Sequence, residues 1–458
     1  MNNTLPMSSS PRLIDTLIEA RWIVPIEPAG VILENHALAV NDGEIVAILP
    51  ITDARHRYLA RETTVLPEHV LLPGLVNLHT HAAMSLMRGY ADDQPLMTWL
   101  REHIWPAEVR HLSAKFVHDG TLLAAAEMLR GGVTCFSDMY FFPEAAAEAA
   151  LRTGIRAALG MVTIEFPTAY ASDAEDYLAK GLAARDRLRE EPTLSFSLAP
   201  HAPYTVSDKT FERVAMLSAQ LDLPIHMHVH ETRGEVDDSL RLHGVRPLER
   251  LRRLGVLGSG LIAVHGVHLD ATEIDLLAEQ GASLAHCPTS NMKLASGIAP
   301  IAAALAQGIC VGLGTDGAAS NNRLDMFREM RHAALLGKVA AMDASALDAH
   351  TVLRMATLDG ARALGLDSRI GSIFPGKLAD LCAVALDDWT LQPRFDPVSH
   401  LVYVAGREHV SHVWVAGEKR VVDATLPHLD MPELADVVAM WQNALQACDQ
   451  TTLSEGKA

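Results

Sequence analysis

The sequence predicts an α/β fold: a (β/α)8 TIM-like barrel with a small β-sandwich domain built from both terminal segments. Three observations carry that prediction. Between residues 71 and 370, short apolar stretches alternate with helical ones, the pattern of repeated strand–helix units around a parallel sheet. Eight strand candidates end near His81, Asp138, Thr163, His201, His228, His265, Pro288 and Asp316, the number a closed barrel requires. Two β-rich blocks flank this middle, one on each side.

Taken in order, residues 1–10, with Ser8-Ser9-Ser10-Pro11 at their end, read as a loose leader. Strand pieces follow at 21–24, 36–40 and 44–48, and Asn41-Asp42-Gly43 between the last two is a hairpin signal. In the middle, helices are expected over 116–130, 209–221 and 271–280. Beyond it, 378–384 reads as a strand and 412–422 as a hairpin turning at Ala416-Gly417-Glu418. A helix is expected over 431–447, and the last ten residues read as frayed. The domain expectation is therefore 11–70 with 371–425 as the composite sandwich, 71–370 as the barrel, and 426–458 as a terminal helix and tail. A doubly wound open sheet is the structural alternative, but no Gly-x-Gly-x-x-Gly follows the first strand, so dinucleotide binding has no support.

Composition bounds the function. With 458 residues, 49% hydrophobic and 21% charged, the chain can bury a large core. Its net charge of −18 is spread without a Lys/Arg block, which argues against a nucleic-acid partner. Cys135, Cys287, Cys310, Cys382 and Cys448 form no Cys-x-x-Cys, so neither a disulfide framework nor a thiolate zinc site is expected. No basic-then-apolar signal opens the chain, and no apolar run approaches the roughly 18 residues that span a bilayer. The expectation is a cytoplasmic protein with reduced thiols and no membrane partner.

The chemistry sits at the strand ends. Leu75-Val76-Asn77-Leu78-His79-Thr80-His81 is an apolar run closing on two histidines at i, i+2, which point to one side of a strand. His201, His228, His265 and Asp316 close later strands, and the C-terminal strand ends of a barrel converge on one face. Imidazoles and a carboxylate gathered there suit a first-row divalent metal, most often zinc. Spacing alone does not choose among His226, His228 and His230, because all three share a face on an ideal strand.

A resemblance sharpens the reading. Pro73-Gly74-Leu75-Val76-Asn77-Leu78-His79-Thr80-His81, His228-Val229-His230-Glu231-Thr232 and Gly312-Leu313-Gly314-Thr315-Asp316-Gly317 resemble motifs of the amidohydrolase superfamily. Pro200-His201-Ala202-Pro203-Tyr204, Ser290-Asn291-Met292-Lys293-Leu294-Ala295-Ser296-Gly297 and Gly376-Lys377-Leu378-Ala379-Asp380 are similar to its 5′-methylthioadenosine/S-adenosylhomocysteine deaminase group, within the triazine-hydrolase-like (ATZ/TRZ-like) branch. The resemblance runs from about residue 15 to 422.

It implies one divalent metal per subunit, zinc, held by His79, His81, His228 and Asp316. His228 is chosen because its spacing to Glu231 matches the family; His226 then lies one layer deeper as a packed core histidine and His230 beyond the site. Catalytic roles fall to Asp316 as proton acceptor, Glu231 as proton shuttle, and His265, which orients the water or steadies developing charge. Substrate binding falls to Glu108, His201, His228 and Glu231, with Glu108 as the ribose-diol carboxylate. A binuclear site would need a lysine ending the fourth strand, and 194–201 has none. One departure stands out: the arginines that hold a homocysteine carboxylate in some relatives are missing from 164–184, leaving Arg88 as a candidate substitute.

The implied reaction is hydrolytic removal of the 6-amino group of 5′-methylthioadenosine, S-adenosylhomocysteine and adenosine, giving inosine derivatives and ammonia. The alternatives are an aminohydrolase or chlorohydrolase of another heterocycle (guanine, pterin, triazine) and, more remotely, a non-catalytic scaffold on the same fold. A homo-oligomer, dimer or tetramer, is expected on general grounds.

Overall fold

The computed structural model describes residues 11–455, with side chains through residue 447. The leader expected over 1–10 lies outside the described residues. Four strands open the chain: β1 (Arg12–Ile23), β2 (Leu33–Asn41), β3 (Glu44–Pro50) and β4 (Tyr58–Pro73). Eight more form the central sheet: β5 (Leu75–Thr80), β6 (Val133–Tyr140), β7 (Arg156–Thr163), β8 (Leu194–Pro200), β9 (Ile225–Val229), β10 (Leu261–His265), β11 (Ser283–His286) and β12 (Cys310–Leu313). Three follow it: β13 (Leu381–Ala385), β14 (Val410–Val415) and β15 (Glu418–Val421).

Strands β5 to β12 pair in sequence order, all parallel, and β12 returns to β5. The amide of Asp316 donates to His79 O at 2.9 Å, and the Asn77 side chain bridges Thr315 by bonds of 2.8 and 2.9 Å. Gly314 permits this seam, because a Cβ there would lie 2.9 Å from both the Cβ and the N of His79. Every residue of β5, β6 and β7 is buried, which explains why none alternates apolar with polar: helices cover a parallel barrel outside and side chains fill it inside. The expected helices appear as Ala114–Arg130, Asp208–Leu221 and Ala271–Gln280. The last starts on a capping box in which Asp270 and Glu273 satisfy each other's backbone amides.

The terminal segments form one mixed seven-stranded sheet in the order β15-β14-β13-β4-β1-β2-β3. It makes a sandwich by curling on itself: Ile45 N donates to Lys377 O, and Ala379 N to Gly43 O, both at 2.8 Å. Ile18, Leu38, Leu71, Leu381 and Trp414 fill the space between its halves. Both expected hairpins turn through positive φ, at Asp42 and Gly43 (51° and 78°) and at Ala416 and Gly417 (48° and 79°). The first half of β4 had no strand signature in the sequence, since its polar 61–63 stretch is mostly exposed.

A buried ion pair pins the two sheets together. Arg156 of β7 donates through Nε and Nη2 to the two carboxylate oxygens of Asp380 at 3.1 and 3.2 Å. The terminal helix spans Met431–Glu455, so most of the last ten residues extend it rather than fray. Residues 456–458 lie outside the described part. Among the described residues no helix is long and apolar enough to cross a membrane.

Candidate active site

At the C-terminal rim of the barrel, β5 delivers His79 and leaves His81 just beyond its end, β9 carries His228, β10 ends on His265, and Asp316 follows β12. His265 and Asp316 adopt φ of 73° and 63° without being glycine. Backbone held in this left-handed region stores strain that the surrounding bonds must offset, and such strain concentrates at functional sites.

The hydrogen-bond pattern of the imidazoles defines the chemistry. Nδ1 of His81 lies 2.6 Å from Met139 O, and Nδ1 of His228 lies 2.8 Å from His201 O. A carbonyl only accepts, so each Nδ1 carries the proton and each Nε2 is left as a lone pair. Nδ1 of His79 meets Nε2 of His226 at 3.0 Å, and Nδ1 of His265 meets the Asn291 amide oxygen at 2.8 Å. Burial, with smaller contributions from neighbouring histidines, favours the neutral ring at two of them: His79 is lowered to about 4 despite Asp316, and His228 is pushed well below its ordinary value.

The inward Nε2 atoms of His81 and His228 therefore offer lone pairs to the space between the rings. Nε2 of His228 lies 3.2 Å from Nε2 of His79, while Nε2 of His79 and of His81 lie 3.5 and 3.3 Å from Asp316 Oδ1. Burial works to raise Asp316, but the histidines packed around it, His79 first, hold it well below the usual carboxylate range. Its Oδ1 also accepts from Gly317 N at 2.7 Å and its Oδ2 from Ser290 Oγ at 2.7 Å. Lone pairs of His81 and His228, the Nε2 of His79 and a carboxylate oxygen of Asp316 converge within a few ångströms, an arrangement that a divalent cation stabilises. The donor set fits a divalent metal.

Glu231 is buried beside this cluster, with Oε2 3.8 Å from His265 Nε2. Burial raises its carboxyl above the ordinary range, and the charge of Asp316 adds to the shift. Its backbone amide and that of His230 are pinned by the two oxygens of Glu235, at 2.9 and 2.8 Å. A cavity of about 520 Å³ opens from the cluster, and its wall includes His81, Glu108, His201, His228, Glu231, His265 and Asp316. His201 bonds through Nδ1 to Thr205 Oγ1 at 3.0 Å, and burial lowers it to about 3. Glu108, on the helix Trp105–His111, accepts a 2.6 Å bond from the Tyr140 hydroxyl.

Three placements differ from or add to the sequence reading. His226 is not merely a packed core residue: it is fully buried and bonded to His79, while its own Nδ1 lies 3.3 Å from Ser137 Oγ. Arg88 does not substitute for missing arginines, because it pairs with Glu127, donates to Asn322 O at 2.5 Å and does not line the cavity. His230 turns away from the site, accepting from Leu248 N at 3.2 Å and facing Glu273. The parity of 226, 228 and 230 was the signal for His226; Tyr140, Ser290 and Asn291 had none that named a role.

A parallel barrel with a His/Asp donor set and a buried acid at its C-terminal rim defines a metal-dependent hydrolase class. Comparison with known proteins agrees: residues 70–420 match the model of the amidohydrolase family, and the chain belongs to that family. It is 47% identical to a protein of Teredinibacter turnerae named 5-methylthioadenosine/S-adenosylhomocysteine deaminase, over 95% of this chain and 98% of that one. A protein of the same name from Saccharophagus degradans is 46% identical, over 94% and 97%. A crystal structure of an adenosine deaminase from Xanthomonas campestris with bound zinc superposes with a TM-score of 0.94 at 51% identity, covering 95% of this chain and all of that one.

Proposed function

We propose that this protein is a zinc-dependent deaminase that hydrolyses the 6-amino group of 5′-modified adenosines to the inosine derivatives and ammonia. The observation that carries the reading is one apolar cavity holding a His/Asp metal cluster with Glu231 beside it and a second carboxylate, Glu108, elsewhere on its wall. Zinc chemistry and a sugar-binding acid in one pocket suit a nucleoside. The similarity to named deaminases supports the same substrate class.

In this reading His79, His81, His228 and Asp316 hold one zinc ion per subunit. When bound, the metal supplies Lewis acidity and makes water acidic enough to deprotonate near neutral pH. Asp316 accepts the proton leaving the attacking water. Glu231, whose carboxyl burial raises above its ordinary value, delivers a proton to the ring nitrogen beside C6. It then takes up the proton that Asp316 received, passes it to the departing amine, and is restored by the second proton of the water. His265, with its Nδ1–H committed to Asn291, presents Nε2 toward Glu231 and orients the water. His201 contacts the ribose side of the ligand, and Glu108 accepts from the sugar hydroxyls.

No Lys or Arg occurs among the described residues lining the cavity, whereas Trp105, Ile164, Phe166 and Pro167 do. An apolar methylthio tail is therefore preferred over a homocysteine tail, whose carboxylate would find no cation. We place the enzyme in the cytoplasm as a homo-oligomer. Its domains are assigned as 11–70 with 371–425, 71–370, and 426–458. The test is ammonia release by zinc-loaded protein on adenosine, 5′-methylthioadenosine, S-adenosylhomocysteine, guanine and a chlorotriazine. The highest kcat/KM is expected for 5′-methylthioadenosine; turnover of guanine or the triazine but of no adenosine overturns the substrate assignment.

A further inference from the structure

Glu108 and its partner belong to different parts of the molecule. Glu108 rides on the segment after β5, in which Leu96–Thr98, Trp99–Ile104 and Trp105–His111 are successive helical pieces. This segment contributes Trp99, Leu100, Ile104 and Trp105 to the cavity wall and so roofs it. Tyr140 is the last residue of β6, a strand buried along its whole length. Its ring packs against Phe141 at 5.3 Å between centroids and against the His81 ring at 6.5 Å. Tyr140 is a fixed post in the barrel wall, next to a metal-cluster histidine, and Glu108 is a long side chain reaching it from the roof.

From this juxtaposition we propose that Tyr140 is a positioning residue for sugar recognition, holding the Glu108 carboxylate at a set place relative to the metal cluster so that the two sugar hydroxyls and C6 register together. The inference rests on the nucleoside reading of the cavity.

An unrestrained glutamate spreads over many rotamers, and fixing it carries an entropic cost that a substrate would otherwise have to supply. The 2.6 Å bond from Tyr140 meets that cost before binding. A carboxylate offers about four lone-pair directions; Tyr140 takes one, and enough remain for two sugar hydroxyls. Burial works to raise Glu108, to about 7, and the Tyr140 hydroxyl opposes the shift, favouring the acceptor form that the diol needs. Tyr140 itself is pushed well above its ordinary value by burial and by Glu108, so its hydroxyl stays a donor.

The experiment compares zinc-loaded wild type, Tyr140→Phe, Glu108→Gln and the double variant on 5′-methylthioadenosine and on its 2′,3′-dideoxy analogue. Phe keeps the ring and removes only the hydroxyl. Loss of one hydrogen bond to a charged group predicts a KM for the ribonucleoside raised about tenfold, with kcat changed less than twofold. The dideoxy analogue should show no such penalty, and Tyr140→Phe should add nothing once Glu108 is Gln. Equal KM losses on both substrates would mean a packing role, and a fall in kcat alone would mean action on the chemistry; either overturns the proposal. Lack of turnover of both nucleosides by the wild type would instead overturn the functional reading itself, and this inference with it.

Discussion

His226 holds its Nε2 3.0 Å from Nδ1 of His79, directly beneath the ring whose other nitrogen faces His228 and Asp316. Both rings are fully buried, and the chain of contacts continues to Ser137 Oγ. An imidazole that meets a metal needs its outer nitrogen engaged, or its plane and tautomer drift. In the proposed metal site His226 would therefore act through His79. Substitution by Leu should weaken zinc affinity about 10–100-fold, the usual cost of losing such a partner. Competition with a chromogenic chelator measures it; unchanged affinity in a folded variant would reject the role.

Glu231→Gln keeps the shape of the side chain and removes its ability to give and take a proton. The fall in kcat should be about 10²–10⁴-fold, the range for loss of a general acid–base group. Metal content should not change, because Glu231 is not in the proposed donor set. Zinc analysis beside steady-state kinetics separates the two: loss of metal together with activity would make Glu231 a ligand instead.

Glu108 ties pH to both binding and stability. Its carboxyl is raised by burial from 4.5 to about 7, so the folded protein holds this proton more tightly than the unfolded chain does. Below pH 4.5 the group is neutral in both states and costs nothing. As pH rises, the cost of a desolvated carboxylate appears, and it is complete above about 7. Glu108→Gln should therefore stabilise the protein at pH 8 by on the order of 1–3 kcal/mol and by less at pH 5. The same ionisation should lower KM for a ribonucleoside as pH rises through 7 in wild type and not in the Gln variant. Thermal unfolding and KM at the two pH values check both; a flat KM profile would remove Glu108 from sugar binding.

The Arg156–Asp380 pair joins the barrel to the curled sheet with both side chains nearly fully buried. Asp380 also accepts from Ala416 N at 2.7 Å, so one carboxylate holds β7 and the turn after β14. Asp380→Ala leaves a buried guanidinium unpaired and should cost about 3–5 kcal/mol. Replacing both partners by apolar residues of similar size should cost much less. Urea unfolding of the two variants decides it: equal losses would show that the charges themselves matter little.

Much of this protein is legible in one dimension. Local periodicity names the barrel strands, because strands buried on both faces are short apolar runs; it also names the helices over Ala114–Arg130 and Ala271–Gln280. Both hairpins are written in Asp42-Gly43 and Ala416-Gly417, where chain geometry demands positive φ. The strand-end residues His79, His81, His228, His265 and Asp316 could be picked out because a barrel sends every strand's C-terminal end to one face.

Partnership across the barrel could not be read this way. His226 looked like filler until the fold set it under His79, 147 positions away in sequence. Tyr140 and Glu108, 32 residues apart, carry no shared signal, and Arg88 remained a plausible cation until Glu127 was found to hold it. Hydrogen bonds depend on separations of a few tenths of an ångström and on direction, which the tertiary packing alone sets. The sequence by itself determined which groups arrive at the rim, since that follows from strand period and barrel topology. The tertiary structure decided which nitrogen keeps its proton and which lone pair faces the site, because those are properties of pairs brought together from distant segments.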